Sequence, residues 1–283
     1  MNTALLWNTY RNDLEWFRIS ARSFTKFARG WDTVRCIIPN ADVDLFRPIC
    51  EEHRIELQGG DEWPGRGFNW HQHMTCHADE FLPGAEVIFH IDGDTVFAQE
   101  CSPADWLPDG KILQPFTEYR HFLQGPVPLD AEKTFMGFTG KTFDMNRNQY
   151  MWKFAVDYAL GWSAERECMP WMPMVNHRDV YAKTREVIST RFPDQGFDGY
   201  VHECRNEFPQ SFCEFNTLGA VAHKFFEDKY EWYDLFERPY PFYGKVIQSW
   251  SPGGMEKEHN YGPQVPTPEI NCPRKLFQHL GLM

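Results

Sequence analysis

Apolar positions change their period several times along the chain, and each change marks an element. The run over residues 4–9 (ALLWNT) predicts a short buried strand. After Arg11-Asn12-Asp13, apolar Leu14, Phe17, Ala21, Phe24 and Ala28 recur at three- and four-residue spacing, which predicts an amphipathic helix closed by Gly30. Residues 33–38 are β-branched and apolar and stop at Pro39-Asn40, so the chain opens strand, helix, strand and predicts a parallel α/β sheet. A second helix is expected over 42–53, a strand over 54–57, a Gly/Pro loop over 59–67 and a helix over 69–81. Residues 87–91 (VIFHI) form the most strand-like run and deliver Asp92-Gly93-Asp94 at their carboxyl end, where open α/β sheets gather ligands. Ser102-Pro103 opens a short helix ended by Gly110, and a strand is expected over 111–116. Further helices are expected over 148–160, 178–190 and 214–227, with a strand near 245–250. The Pro- and Gly-rich C-terminal stretch reads mainly as loop wrapping back over the sheet.

Composition narrows this picture without changing it. The 283 residues are 42% hydrophobic and 24% charged, ordinary globular usage, and no compositional break divides them, so one domain is expected. No stretch approaches the roughly 18 apolar residues of a membrane span, and residues 1–7 lack a positive region, so a soluble, cytoplasmic protein is expected. The eight cysteines show no repeated CxxC spacing and read as reduced thiols. Lys plus Arg total 28 against 40 for Asp plus Glu; the resulting charge of −12 repels polyanions at long range and disfavours nonspecific nucleic-acid binding, though not a local basic patch. Aromatics reach 16%. Most are expected in the core, while Trp63, Trp70, Trp171 and Trp250 lie in or beside loops or site elements, where one or two would serve as a stacking platform.

Asp92 and Asp94 are the centre of the candidate chemistry. Two carboxylates one residue apart suit a hard divalent cation, leaving sites for water and phosphate oxygens. Asp-Gly between apolar runs is equally a hairpin-turn signal. Asp92-Gly93-Asp94-Thr95-Val96 also matches the DxDx(T/V) nucleophile motif of haloacid-dehalogenase phosphatases, but 91 residues precede it and no GDxxxD motif follows. A calcium loop fails at Val96, and a P-loop ending in Gly140-Lys141-Thr142 fails because its first glycine would fall at Phe135.

Residues 87–97, VIFHIDGDTVF, resemble the strand plus DADT(V/I)F segment of GT-A glycosyltransferases. The opening NTYRNDLEWFRISARSFTKFARGWDTVRCIIPNAD is similar to the first strand, helix and second strand of a GT-A subgroup found in bacteria and viruses. FNWHQHMTCHADEF lies where that subgroup has a Trp- and Gln-bearing helix before its DxD strand. FCEFNTLG resembles its Ser-Glu-(Tyr/Phe)-x-x-(Tyr/Leu)-Gly segment, with Cys213 in place of Ser, so the likeness covers most of residues 4–228.

The resemblance implies a GT-A (Rossmann-like) α/β fold, a mixed, mostly parallel sheet with helices on both faces. It implies one domain over 1–283, with its nucleotide-binding half about 1–125 and its acceptor half about 126–283. Asp92 and Asp94 would bind metal and diphosphate, Thr9, Tyr10 and Asp13 would lie near the nucleotide, and Gln72 near the donor sugar or phosphate. Thr75 or a neighbour stands where the subgroup has a Lys. His259, in HNYGP, resembles the C-terminal histidine that serves many GT-A enzymes as a third metal ligand. Glu214 is the candidate general base for an inverting displacement, although Ser211-x-x-Glu214 is also a capping box.

The implied activity is transfer of a hexosyl or pentosyl unit from a nucleotide sugar, UDP-sugar favoured, with Mn²⁺ or Mg²⁺. The acceptor hydroxyl would belong to a glycan, lipid-linked sugar or small molecule, or to a hydroxymethylpyrimidine in viral DNA. The alternatives are a phosphatase with Asp92 as nucleophile and a nucleotide-sugar binder without turnover. His71, His73, Cys76 and His77 invite a zinc reading, but only His73 and His77 share a helix face, and a helix passing near the active site accounts for such polar residues equally well.

Overall fold

The computed structural model describes residues 1–122, 145–169, 172–204, 211–237, 244–249, 254–258, 265, 267 and 269–283; Trp171, Trp250 and His259 lie outside them. The strands are β1 (Thr3–Asn8), β2 (Thr33–Pro39), β3 (Glu56–Gly60), β4 (Val87–Asp92), β5 (Thr95–Phe97), β6 (Ile112–Glu118), β7 (Arg166–Glu167), β8 (Met174–His177), β9 (Tyr230–Asp234) and β10 (Val246–Gln248). The helices are α1 (Leu14–Phe27), α2 (Val43–His53), α3 (Gly67–Cys76), α4 (Ala78–Phe81), α5 (Met145–Leu160), α6 (Asp179–Arg191), α7 (Gly196–Glu203), α8 (Glu214–Phe225) and α9 (Pro273–His279).

The central sheet has the order β3-β2-β1-β4-β8, parallel except for antiparallel β8. All six residues of β1 are buried, because it is paired on both edges and covered on both faces, and its sequence is accordingly an apolar run rather than an alternation. Trp7 packs edge-on against Phe17 and Phe24 of α1, and its indole nitrogen donates to Ser20 Oγ at 2.9 Å, so the buried polar atom is satisfied. A three-stranded sheet, β7-β6-β9, and the antiparallel pair β5–β10 complete the sheets. All eight cysteines are buried and unbonded. Among the described residues no helix is long and apolar enough to cross a membrane.

Four expectations need correction. The third strand runs through Gly59 and Gly60 instead of ending before them. Both glycines are needed for close packing, since a Cβ on Gly59 would lie 2.1 Å from Asn40 Oδ1 and one on Gly60 2.9 Å from Met74 Cε. The helix expected over 69–81 breaks at His77, where φ is −107° and ψ 13°. Residues 103–110 form two 3₁₀ turns, not an α-helix. Ser102 is the N-cap and makes a capping box with Asp105, but Pro108 starts a new turn, and Asp109 and Gly110 adopt left-handed φ values of 51° and 78°. The C-terminal stretch contains α9, whose Leu276 and Phe277 join Ile19, Val96 and Ile247 in a second apolar cluster behind β5 and β10.

Candidate active site

The carboxyl ends of β1 and β4 lie side by side, with Asn8 opposite Asp92 in the parallel register. A cavity of about 450 Å³ opens there, and Thr9, Tyr10, Asp13, Asp92, Gly93 and Asp94 all line it. Gly93 is there for space: a Cβ would lie 2.5 Å from Thr9 Oγ1 and 3.4 Å from Asp13 Cβ, so only glycine lets the two aspartates lie this close to the end of β1. The hairpin reading of Asp-Gly is overturned, because β4 and β5 pair with different strands and Gly93 is absent from the left-handed glycines. β10 instead closes the site from the far end of the chain. Gln248 Nε2 donates to Asp92 Oδ2 at 3.1 Å, and Ser249 N donates to the Asp94 carbonyl at 3.0 Å.

The electrostatics are one-sided. Burial pushes the Asp92 carboxyl well above the ordinary carboxylate range, and the neighbouring charges of Asp94, Glu214 and Asp13 add to the shift. Burial also raises Asp13, partly offset by the Thr9 hydroxyl, 3.5 Å from Asp13 Oδ2. Glu62 adds a further carboxylate to the lining, whereas among the described residues no Lys or Arg lines it. His71 supplies no charge at neutral pH, because burial lowers its pKa to about 4. Oxygen donors of high negative charge without a fixed cation match the needs of Mg²⁺ or Mn²⁺, so the residues present fit a divalent ion at Asp92 and Asp94.

Gln72 does not line the cavity. It is buried behind the wall, where Nε2 donates to Glu214 Oε2 and to the Phe212 carbonyl, each at 2.7 Å. Glu214 is the first residue of α8 and is 8% exposed; burial raises its pKa, with the Gln72 hydrogen bond pulling the other way. The capping-box alternative is removed, since the N-cap is Cys213, no side-chain cap is made, and Ser211 Oγ has no hydrogen-bond partner. Thr75, where the resemblance expects a Lys, is buried and bonded to the His71 carbonyl and to Asn8. Trp63 packs against His73 and His202, and Trp70 is 3% exposed in the cavity wall.

Asn8, Glu62, Phe68 and Gln248 line the cavity beyond the residues named from sequence, and so does His71, which the sequence raises only for zinc and for a helix passing near the site. Asn8 was within reach of the rule that ligands gather at strand carboxyl ends. Gln248 was not, because only the β5–β10 pairing brings it there.

No protein-family model and no curated protein matches the sequence. Among solved structures the chain is similar to the mannosyltransferase Ktr4p from S. cerevisiae, at TM-score 0.50 and 9% identity over 98% of this chain and 81% of that one. It is also similar to core-mannan synthase A from Aspergillus fumigatus in its Mn/GDP form (TM-score 0.45, 11% identity, 100% and 86% covered). A third likeness is to 4-diphosphocytidyl-2C-methyl-D-erythritol synthase from Anaerococcus prevotii (TM-score 0.42, 13% identity, 82% and 85% covered). The mixed, mostly parallel sheet with helices on both faces is the GT-A fold.

Proposed function

We propose that the protein is a metal-dependent glycosyltransferase that moves a sugar from a nucleotide-sugar donor, UDP-sugar favoured, to a hydroxyl of an uncharged acceptor. One observation carries the reading: a cavity at the carboxyl ends of β1 and β4 is lined by Asp13, Glu62, Asp92 and Asp94 and, among the described residues, by no Lys or Arg. Four carboxylates in one lining favour a diphosphate that enters with a cation. Asp92 and Asp94 would hold Mn²⁺ or Mg²⁺, which when bound neutralises the charge that grows on the departing diphosphate. Tyr10 and Phe68, 44% and 42% exposed, present rings at the cavity on which a base or sugar can stack. Glu214 is the candidate base, since burial raises its carboxyl pKa, Gln72 fixes one oxygen and its charge acts on Asp92, although it stands behind the cavity lining and not in it. The acidic lining supports a glycan or small neutral acceptor over modified DNA, whose phosphates would be repelled.

The test is thermal stabilisation by UDP, GDP, CDP and their sugars, with and without Mn²⁺, on wild type and Asp94→Ala. Metal-dependent stabilisation by one diphosphate, absent from the variant, is the expected result, with a shift that grows with ligand concentration. If no nucleotide shifts the melting temperature at saturation, the transferase reading fails and phosphatase assays on Asp92→Asn come next.

A further inference from the structure

Away from the cavity, α3 presents a second cluster to α7. His71 lines the cavity, and His73, two residues on, is turned by about 200° and lies on nearly the opposite face of the helix. His77 follows one turn later, with its ring 4.3 Å from that of His73. Both Nε2 atoms converge on a single oxygen, Asp198 Oδ1, at 2.9 and 3.0 Å. The proton count at His77 is unusual. Its Nδ1 also faces a carboxylate oxygen, Glu80 Oε1, at 3.1 Å, whereas a neutral imidazole carries only one N–H for two such acceptors. A second proton on the ring, or a cation at Nε2, would satisfy both carboxylates.

The donor set favours a metal ion. Two imidazoles at i, i+4 and a carboxylate from a facing helix form an N₂O set of the zinc type. Glu80 beside Nδ1 would favour the tautomer that leaves Nε2 as ligand, and is itself paired with Arg185 at 3.0 Å. A tetrahedral ion with bonds of about 2.0–2.1 Å spaces its ligands by about 3.3 Å, so the present contacts need open by only a few tenths of an ångström. Asp198 has room for that movement, since its side chain is 68% exposed against 17% and 13% for the two histidines. The open carboxylate also gives an ion its way in.

We propose that His73, His77 and Asp198 form a divalent transition-metal site of the zinc class, distinct from the Asp92–Asp94 centre, that clamps α3 to α7. Water or an outside ligand completes the coordination. The clamp adds to a polar seam in which Asn69 and Arg66 cap the last carbonyls of α7, at Val201 and Cys204. Because α3 also carries Gly67, Phe68, Trp70 and His71 of the cavity wall, the ion would hold that wall from behind.

The experiment uses the full chain, stripped with chelator and titrated with Zn²⁺, reading bound metal and melting temperature for wild type, His77→Gln, Asp198→Asn and Glu80→Gln. Wild type should bind one more zinc than His77→Gln or Asp198→Asn and gain a zinc-dependent stabilisation that both lose. Glu80→Gln should retain the site with roughly 10- to 100-fold weaker affinity. Co²⁺ should give visible bands in wild type that His77→Gln and Asp198→Asn lose. Asp198→Asn keeps an oxygen acceptor at an exposed position, so its folding, checked by circular dichroism, separates ligand loss from unfolding. Equal zinc binding in wild type and both ligand variants, or none in wild type, would overturn the proposal and leave a protonated imidazole–carboxylate network only.

Discussion

Asp92 is held above its ordinary ionisation range by burial and by three neighbouring carboxylates, and that strain bears on both stability and function. A carboxyl whose folded pKa lies above its unfolded value stabilises the fold while protonated, at pH below the unfolded value near 3.8, and that contribution is lost as pH rises through the folded value. The metal-free protein should therefore be less stable than Asp92→Asn, by a margin that widens as pH rises above the unfolded value near 3.8 toward the folded one. A gain of about 1 kcal/mol would appear as roughly 2–4 °C in melting temperature. Other groups also titrate in this range: Glu167 is raised to about 7, while His71 is lowered to about 4 and destabilises below the unfolded histidine range. These are common to both proteins, so the difference isolates position 92. Saturating Mn²⁺ should reverse the order, and a pH-independent difference would contradict the electrostatic reading. At this scale the sequence was most informative, because an Asp-Gly-Asp at the end of an apolar run carries its chemistry in three adjacent residues. The reason for Gly93, contact with Thr9 across two strands, was not legible.

The hydrogen bond from Gln72 to Glu214 joins α3 to α8, and it opposes the rise that burial imposes on the Glu214 pKa. Gln72→Leu should leave the carboxylate buried without its donor. Because that hydrogen bond lowers the Glu214 pKa, the low-pH limb of the pH–rate profile of the proposed transferase should move upward, with the rate at high pH little changed. If the whole profile fell without moving, Gln72 would be acting only through packing. Elements were legible where their pattern is local. α1 and β4 follow from periodicity, whereas β3 was cut short at Gly59-Gly60, because glycines read as loop when the cause of their presence is the approach of Asn40 and Met74. The two 3₁₀ turns over 103–110 share the Ser-Pro start of an α-helix and differ only in how they end.

At the scale of the molecule, the first half of the sheet was readable as consecutive strand–helix–strand units, while β8 and β10 were placed by partners distant in sequence. β8 pairs antiparallel with β4, and β10 crosses to β5 to set Gln248 on Asp92. No short window of sequence encodes such a pairing. What secures β10 is the second apolar cluster, in which fully buried Phe277 of α9 packs edge-on against Trp16 of α1, their rings 6.0 Å apart, beside Ile247 and Val96. The C-terminal stretch thus backs the strand that sets Gln248 beside Asp92. Phe277→Ala should destabilise the protein by about 3–5 kcal/mol through lost burial and the cavity left behind. Because β10 and its Gln248 rest on that cluster, the same change should weaken metal-dependent nucleotide binding, although Phe277 is absent from the cavity lining. Gln248→Ala separates the two effects, since it should weaken binding with little loss of melting temperature. A Phe277→Ala protein that melts earlier yet binds nucleotide with unchanged affinity below its melting point would show that β10 holds its place without α9.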